Sequence, residues 1–150
     1  MARVDYYDIE CAVAAALEND ENLAECGAKV LVEQTVTFER GRYIIVLPTR
    51  RQAPDAMQSI SAGRRTRFLF TITIWCWAFE LDVAKANRAR DDLLGLVEIA
   101  LMADHRFGRD DIKQSWITGG DFDLDEGEGD QGFASGGSIE LVIDVSAVTA

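Results

Sequence analysis

The stretch from Phe68 to Phe79, FLFTITIWCWAF, constrains the fold of this chain more than any other. It contains no glycine, proline or carboxylate, and its β-branched and aromatic residues are typical of a strand deep inside a sheet. Because side chains alternate across a strand, its two faces differ in character. The face predicted to form core carries Phe68, Phe70, Ile72, Ile74 and Cys76. The other face carries Thr71, Thr73, Trp75, Trp77 and Phe79.

The second face, which mixes hydroxyls with indoles, has two interpretations. An ordinary sheet covered on both sides is the simpler one. Tryptophan is also enriched where surface becomes buried on association, which makes Trp75 and Trp77 candidates for a subunit or partner interface. The residues alone leave both interpretations open.

One helix is predicted before this strand in the sequence and one after it. Asp82 suits an N-cap, and a helix is expected from Val83 to about Ala103. Asp5 suits the cap of an earlier helix that runs to Leu17. The apolar stripe of the longer helix consists of Ala86, Ala89, Leu93, Val97, Ala100 and Leu101.

The remaining strands are predicted from apolar residues that alternate with polar ones. The segment from Lys29 to Pro48 reads as two strands joined at Arg40 to Arg42, a pattern compatible with a hairpin. Further strands are expected from Ile112 to Ile117 and from Ser138 to about Ala147. We therefore expect a single α+β domain over residues 1–150. Its sheet is mixed but mostly antiparallel, with two α-helices packed on one face.

Two long loops of opposite charge are predicted to be mobile. Residues 48–67 contain both prolines and have no sustained period, and residues 121–137 are acidic and rich in glycine. The basic loop has two interpretations. It is either a flexible loop in solvent or a loop that docks on an acidic surface, such as that of a neighbouring subunit. The basic residues are Arg50, Arg51, Arg64, Arg65 and Arg67. The acidic residues, candidates for a lumen or rim, are Asp121, Asp123, Asp125, Glu126, Glu128 and Asp130.

The formal net charge of −11 at pH 7 argues against a nucleic-acid clamp, because such proteins neutralise phosphates with clustered lysine and arginine. No apolar run approaches the length of a membrane span, and the first residues lack an apolar signal region. We therefore expect a soluble protein made in a cytoplasm. Cysteines 11, 26 and 76 have neither zinc-site spacing nor an even count, and Cys11 and Cys76 are expected to be buried hydrophobes.

No catalytic or metal site can be assembled from the residues. Asp121, Asp123 and Asp125 have calcium-loop spacing, but Glu126 stands where such a loop needs glycine, and Gly132 where it needs glutamate. The histidine, at position 105, is expected at a helix end, where it would interact with exposed carbonyls. No nucleophile, metalloprotease or nucleotide-binding motif occurs. We expect no enzyme activity, no cofactor and no metal.

The order of parts resembles the tail-terminator, or tail-completion, proteins of long-tailed bacteriophages and gene-transfer particles. Six parts spread over nearly the whole chain carry the resemblance. They are the opening helix YYDIECAVAAALEN, the strand pair ending in RYIIVLP, the long loop after it, the strand RTRFLFTITIWCWAF, the helix KANRARDDLLGLVEIAL and the ending GDF...GFASGGSIELVIDVSA. The acidic stretch 121–137 departs from the family pattern.

The resemblance implies a virion protein that forms a hexameric ring on the head-proximal end of the tail tube. There it would stop tube growth and provide the surface that joins the head. The implied partners are further copies of the chain, the tail tube protein and a head-side connector protein, with DNA only in passage and no membrane. The implied location is the tail of a virion assembled in a bacterial cytoplasm.

Two alternatives remain at this point. A head-side connector or stopper protein is also a small ring former. An acidic regulatory binding protein that mimics DNA charge is the alternative from another class, although such a mimic should space its carboxylates along one surface, whereas here they concentrate in residues 121–130.

Overall fold

The structure, a computed structural model, describes residues 4–34, 40–52, 65–126 and 132–148. Arg64, Glu128 and Asp130 therefore lie outside the described residues, and of Arg65 only the backbone is described. The helices in this part of the chain are α1 (Tyr6–Glu18), α2 (Glu21–Glu25) and α3 (Val83–Met102). The strands are β1 (Lys29–Val32), β2 (Gly41–Gln52), β3 (Arg65–Glu80), β4 (Ile112–Gly119), β5 (Phe122–Glu126) and β6 (Phe133–Val148).

Aspartate side chains cap the helices at their amino ends. Asp5 accepts a hydrogen bond from the Asp8 amide at 3.1 Å, and Asp82 accepts one from the Ala84 amide at 2.8 Å. Each bond satisfies a backbone donor that has no partner within its helix. Both predicted caps are confirmed. The short helix α2, capped by Asp20, was not predicted.

The strands form one mixed sheet in the order β1-β2-β3-β6-β4, with β5 also paired to β6. All pairs are antiparallel except β1 with β2, in which Lys29 lies beside Tyr43 and Val32 beside Val46. The hairpin interpretation of residues 29–48 is therefore wrong. The alternating pattern places two strands there correctly, but apolar alternation carries no information on strand direction.

Described strands extend into both segments that were predicted to be loops. β2 continues through Arg50 and Arg51, which lie opposite Thr71 and Phe70 of β3. β3 begins at Arg65 because β6, which extends to Val148, pairs with it over its whole length. In the acidic segment, residues 122–126 form β5, and β6 begins at Phe133.

Helices α1 and α3 pack on one face of the sheet, which confirms the predicted fold class. Ile72, Ile74 and Cys76 of β3 are fully buried beneath them, whereas Phe68 is only partly buried near the strand end. Burial raises the pKa of the Cys76 thiol, so this cysteine behaves as a small core residue. Cys11 is half-buried, contrary to the prediction.

An arginine that the sequence did not single out ties α1 to the segment before β4. The Arg109 guanidinium binds the carboxylates of Asp8, in the first turn of α1, and Asp111. These hydrogen bonds raise the pKa of Arg109 and lower that of Asp111. The ion pairs fix the amino end of α1 against the end of the sheet.

Candidate assembly surfaces

The sheet face opposite α1 and α3 carries a cluster of aromatic side chains that we call the aromatic face. No helix in the described part of the chain packs on it. The rings of Trp75 and Trp77 stack with centroids 5.6 Å apart and planes 19° apart. Tyr43 and Phe79 meet edge to face at 5.4 Å. Both tryptophans are half-buried, so a second body that covered this face would remove indole surface from water.

A glycine makes room for one of these indoles. Gly136 of β6 lies opposite Trp77, and a Cβ added there would meet the Trp77 ring at 2.7 Å. The next residue, Gly137, faces the helices, where a Cβ would meet the Leu94 side chain at 2.5 Å. The consecutive glycines were predicted to belong to a loop. Their position inside a strand is the signal of close approach on both faces.

A bidentate ion pair lies farther along the same face. Arg67 donates to Asp144 from Nε at 3.0 Å and from an NH₂ group at 2.8 Å. The Asp144 side chain is 1% exposed, and the Arg67 side chain is 29% exposed. Hydrogen bonding to Asp144 raises the pKa of Arg67. Arg67 therefore joins β3 to β6, a structural role that the loop interpretation of residues 48–67 did not include.

The other described arginines of the predicted basic loop point to different sides of the sheet. Arg50 is exposed and lies opposite Thr71, on the side of the aromatic face. Arg51 lies on the helix side, where its guanidinium is 5.4 Å from the Tyr6 ring centroid and 5.5 Å from that of Phe68. The structure does not bring these two side chains together as one basic patch. Arg51 covers the edge of the core.

The acidic strand β5 is exposed along its whole length. Asp123 lies opposite Gly136 and Asp125 opposite Ala134, which places both carboxylates on the side of the aromatic face. Phe122, which is 68% exposed, lies on the helix side, with the Arg90 guanidinium 4.5 Å from its ring centroid. The described acidic residues thus form a regular strand edge.

One buried carboxyl group had no signal in the sequence beyond its position on an amphipathic helix. Glu10 of α1 is 2% exposed, and its Oε1 atom has no hydrogen-bond partner. Burial, followed by the nearby Glu33 carboxylate, raises the pKa of Glu10 to about 7. The two carboxyl groups therefore share a site where one of them is readily protonated.

The described residues contain no group of three or more side chains arranged to hold a metal ion. A pocket of about 240 Å³ between the end of α3 and β4 is lined largely by apolar side chains, among them Leu101, Trp116 and Leu141. His105, in the turn after α3, is exposed, and its carbonyl accepts a hydrogen bond from Ser115. None of the described helices combines the length and the hydropathy that a membrane span requires.

Comparison with known proteins gives a structural match and no sequence match. No protein-family model and no curated protein matches the chain. Among solved structures, the fold is similar to that of a chain in the "Virion of native gene transfer agent (GTA) particle", with a TM-score of 0.57 and 20% sequence identity. The match covers 93% of this chain and 95% of that chain. The two chains therefore share a fold over nearly their whole lengths.

Proposed function

We propose that this protein is a structural component of a phage-like or gene-transfer virion, and that it forms a ring that closes the head-proximal end of a tail tube. The observation that carries the proposal is the shared fold with a chain of a gene transfer agent particle, which extends over 93% of this chain. In this role the ring stops tube growth and provides the surface to which a head-side connector binds. Catalysis has no part in it.

The aromatic face supports a role in assembly. Trp75 and Trp77 are half-buried on a sheet face that no described helix covers, and tryptophan is enriched in the centres of protein interfaces. A ring requires head-to-tail contacts between unlike patches. We infer that the aromatic face is buried in the assembled particle, against the tail tube protein or another copy of this chain.

Substitution of the tryptophans tests the proposed role of this face. The variant Trp75→Ser/Trp77→Ser should lose capping of tail tubes, measured by the length distribution of tubes assembled in its presence. Tyr7→Ser is the control, because Tyr7 is an exposed aromatic residue on α1, on the opposite side of the sheet. Normal capping by the double variant would contradict the inference for the aromatic face.

Oligomeric state tests the ring itself. Mass photometry of the purified protein, alone and with tail tubes, should detect a closed oligomer, with a hexamer as the expected species. Electron micrographs should place it at one end of each tube. A protein that stays monomeric at every concentration, and also with tubes present, would overturn the ring proposal.

The carboxylates of residues 121–130 are proposed to line the lumen or rim of the ring. DNA must pass a ring at this position, and strong phosphate binding would slow it, whereas a repulsive wall would not. Asp121, Asp123, Asp125 and Glu126 are all exposed. Neutralising Asp121 and Glu126 together with Glu128 and Asp130 should leave ring formation intact and slow DNA ejection. If head joining fails while ejection is normal, the segment is a docking element instead.

A head-side connector or stopper is the second candidate, because such a ring would also require exposed assembly surfaces. Binding experiments separate the two functions. A terminator should bind purified tail tubes without heads, whereas a stopper should bind DNA-filled heads without tails.

A further inference from the structure

The sheet has two edges at the same height on opposite sides of the molecule. Within the described residues, β5 pairs with β6 only and β1 pairs with β2 only. Both edges lie level with the carboxyl-terminal end of β3. β5 pairs with residues 133–137 of β6, which pair with residues 76–80 of β3. β1 pairs with residues 43–46 of β2, which pair with residues 74–77 of β3. An exposed strand edge offers unpaired backbone groups to another strand.

The two edges have complementary side chains. On the side of the aromatic face, β5 presents Asp123 and Asp125, and β1 presents the exposed Lys29, which lies beside Tyr43. On the helix side, β5 presents Phe122 and Leu124, which are 68% and 50% exposed. The helix side of β1 presents Val30 and Val32, which are half-buried.

Pairing of β5 with itself in a two-fold dimer is disfavoured by charge. It would place Asp123 and Asp125 of one copy against the same residues of the other, and like charges directly opposite each other destabilise a strand pair. Lys29 of β1 instead offers the opposite charge on the correct side of the sheet. The complementary contact is therefore head to tail.

We propose that β5 of one copy pairs with β1 of the next copy, so that the sheet continues from subunit to subunit. This inference rests on the proposed function, because it names the contact that would build the ring. The strand directions agree with it: β5 is parallel to β3 and β1 is antiparallel to β3, so the two edges meet antiparallel when neighbouring copies keep the same orientation.

The common height of the edges determines the kind of assembly. A head-to-tail contact produces an open helix if each copy is displaced along the axis, and a closed ring if it is not. Since both edges lie beside the same end of β3, their pairing requires little displacement along the strands. One Lys29 offsets one carboxylate of the neighbour, so most acids of residues 121–130 stay available for the rim.

Disulfide trapping between mixed variants tests the pairing. One protein carries Asp123→Cys or Asp125→Cys, and the other carries Lys29→Cys or Leu31→Cys, both in a Cys11→Ser/Cys26→Ser background. All four positions lie on the side of the aromatic face, so at least one mixture should give a disulfide-linked heterodimer under mild oxidation. Mixtures with Lys113→Cys, an exposed position on β4, are the matched control and should give none.

Charge reversal tests the same contact without cysteine chemistry. Lys29→Asp should weaken oligomerisation about five- to tenfold, and Asp123→Lys in the same chain should restore part of the loss. Lys113→Asp is the control and should have no effect. Thermal melting of the monomeric variants checks that they fold.

The outcomes separate this inference from the proposed function. If a ring forms but no mixture of variants is trapped and Lys29→Asp has no effect, the edge pairing is wrong and the ring proposal stands. If no oligomer forms even with tail tubes, the ring proposal fails and the pairing fails with it.

Discussion

At the scale of single residues, Gly136 determines where the Trp77 indole can lie. The ring crosses the glycine so closely that any Cβ would overlap it, at 2.7 Å. Gly136→Ala should therefore displace the indole, separate it from Trp75 and cost about 1–3 kcal/mol of stability. Near-ultraviolet circular dichroism and chemical denaturation measure these two effects.

A second glycine provides the control for this substitution. Gly95 lies in α3 with no atom within 4 Å of an added Cβ. Gly95→Ala should be neutral or should stabilise the protein by up to about 1 kcal/mol, because alanine favours a helix. An equal loss of stability in both variants would show that Trp77 is not the cause.

Glu10 predicts a dependence of stability on pH. Its pKa is about 7 in the folded protein and lies near its ordinary value of 4.5 in the unfolded chain, so the folded protein retains a proton that the unfolded chain loses. The free energy of unfolding should therefore fall as the pH rises from about 4.5 to about 7, and level off above this range.

The variant Glu10→Gln should remove most of this dependence. It should stabilise the protein by roughly 1–3 kcal/mol at pH 8 and by much less at pH 4.5. Thermal melting across this pH range measures the difference. Glu18→Gln, at an exposed position on the same helix, should keep the parent profile. A Glu10→Gln profile parallel to that of the parent protein would refute the assignment.

At the scale of elements, the ion pair between Arg67 and Asp144 adds a side-chain link to the pairing of β3 with β6. Arg67→Met leaves a carboxylate that is 1% exposed without this guanidinium, which should cost roughly 2–4 kcal/mol. Asp144→Asn should cost less, because the Arg67 side chain is 29% exposed and can reach water. Chemical denaturation measures both, with Arg88→Met on the exposed surface of α3 as the control.

The elements that the sequence predicted well are those whose signals are local. β3 and α3 carry their own apolar periodicity, and Asp5 and Asp82 mark helix starts by a hydrogen bond within one turn. β5 lacked such a signal, since its acidic residues do not have the apolar alternation of a strand and pair with the glycine-containing start of β6. The parallel direction of β1 was missed because alternation within β1 does not specify how it pairs with β2.

The candidate surfaces were also predicted only where the signal lies within one element. Trp75 and Trp77 were chosen from alternation along one strand, and the structure places both on the face without described helices. The role of Arg67 was missed because its partner, Asp144, is 77 residues away in sequence. The space that Gly136 leaves for Trp77 likewise involves two strands, so composition alone assigned that glycine to a loop.

At the scale of the whole molecule, the predicted role of the basic segment in assembly gives a salt-dependent test. Arg64→Glu/Arg65→Glu should weaken oligomerisation, most strongly at low ionic strength, and leave the melting temperature of the monomer nearly unchanged. Mass photometry in a salt series measures the first effect, and thermal melting the second. Lys85→Glu/Arg88→Glu adds the same charge on the exposed surface of α3 and serves as the control.

The position of β6 has a consequence for biosynthesis. This strand pairs with β3 on one edge and with β4 and β5 on the other, yet it is the last element along the described chain. While the ribosome is still adding residues 133–148, β3 has no partner on that edge, and its apolar side chains are exposed to other nascent chains. The period before β6 emerges is therefore when the chain most needs a chaperone.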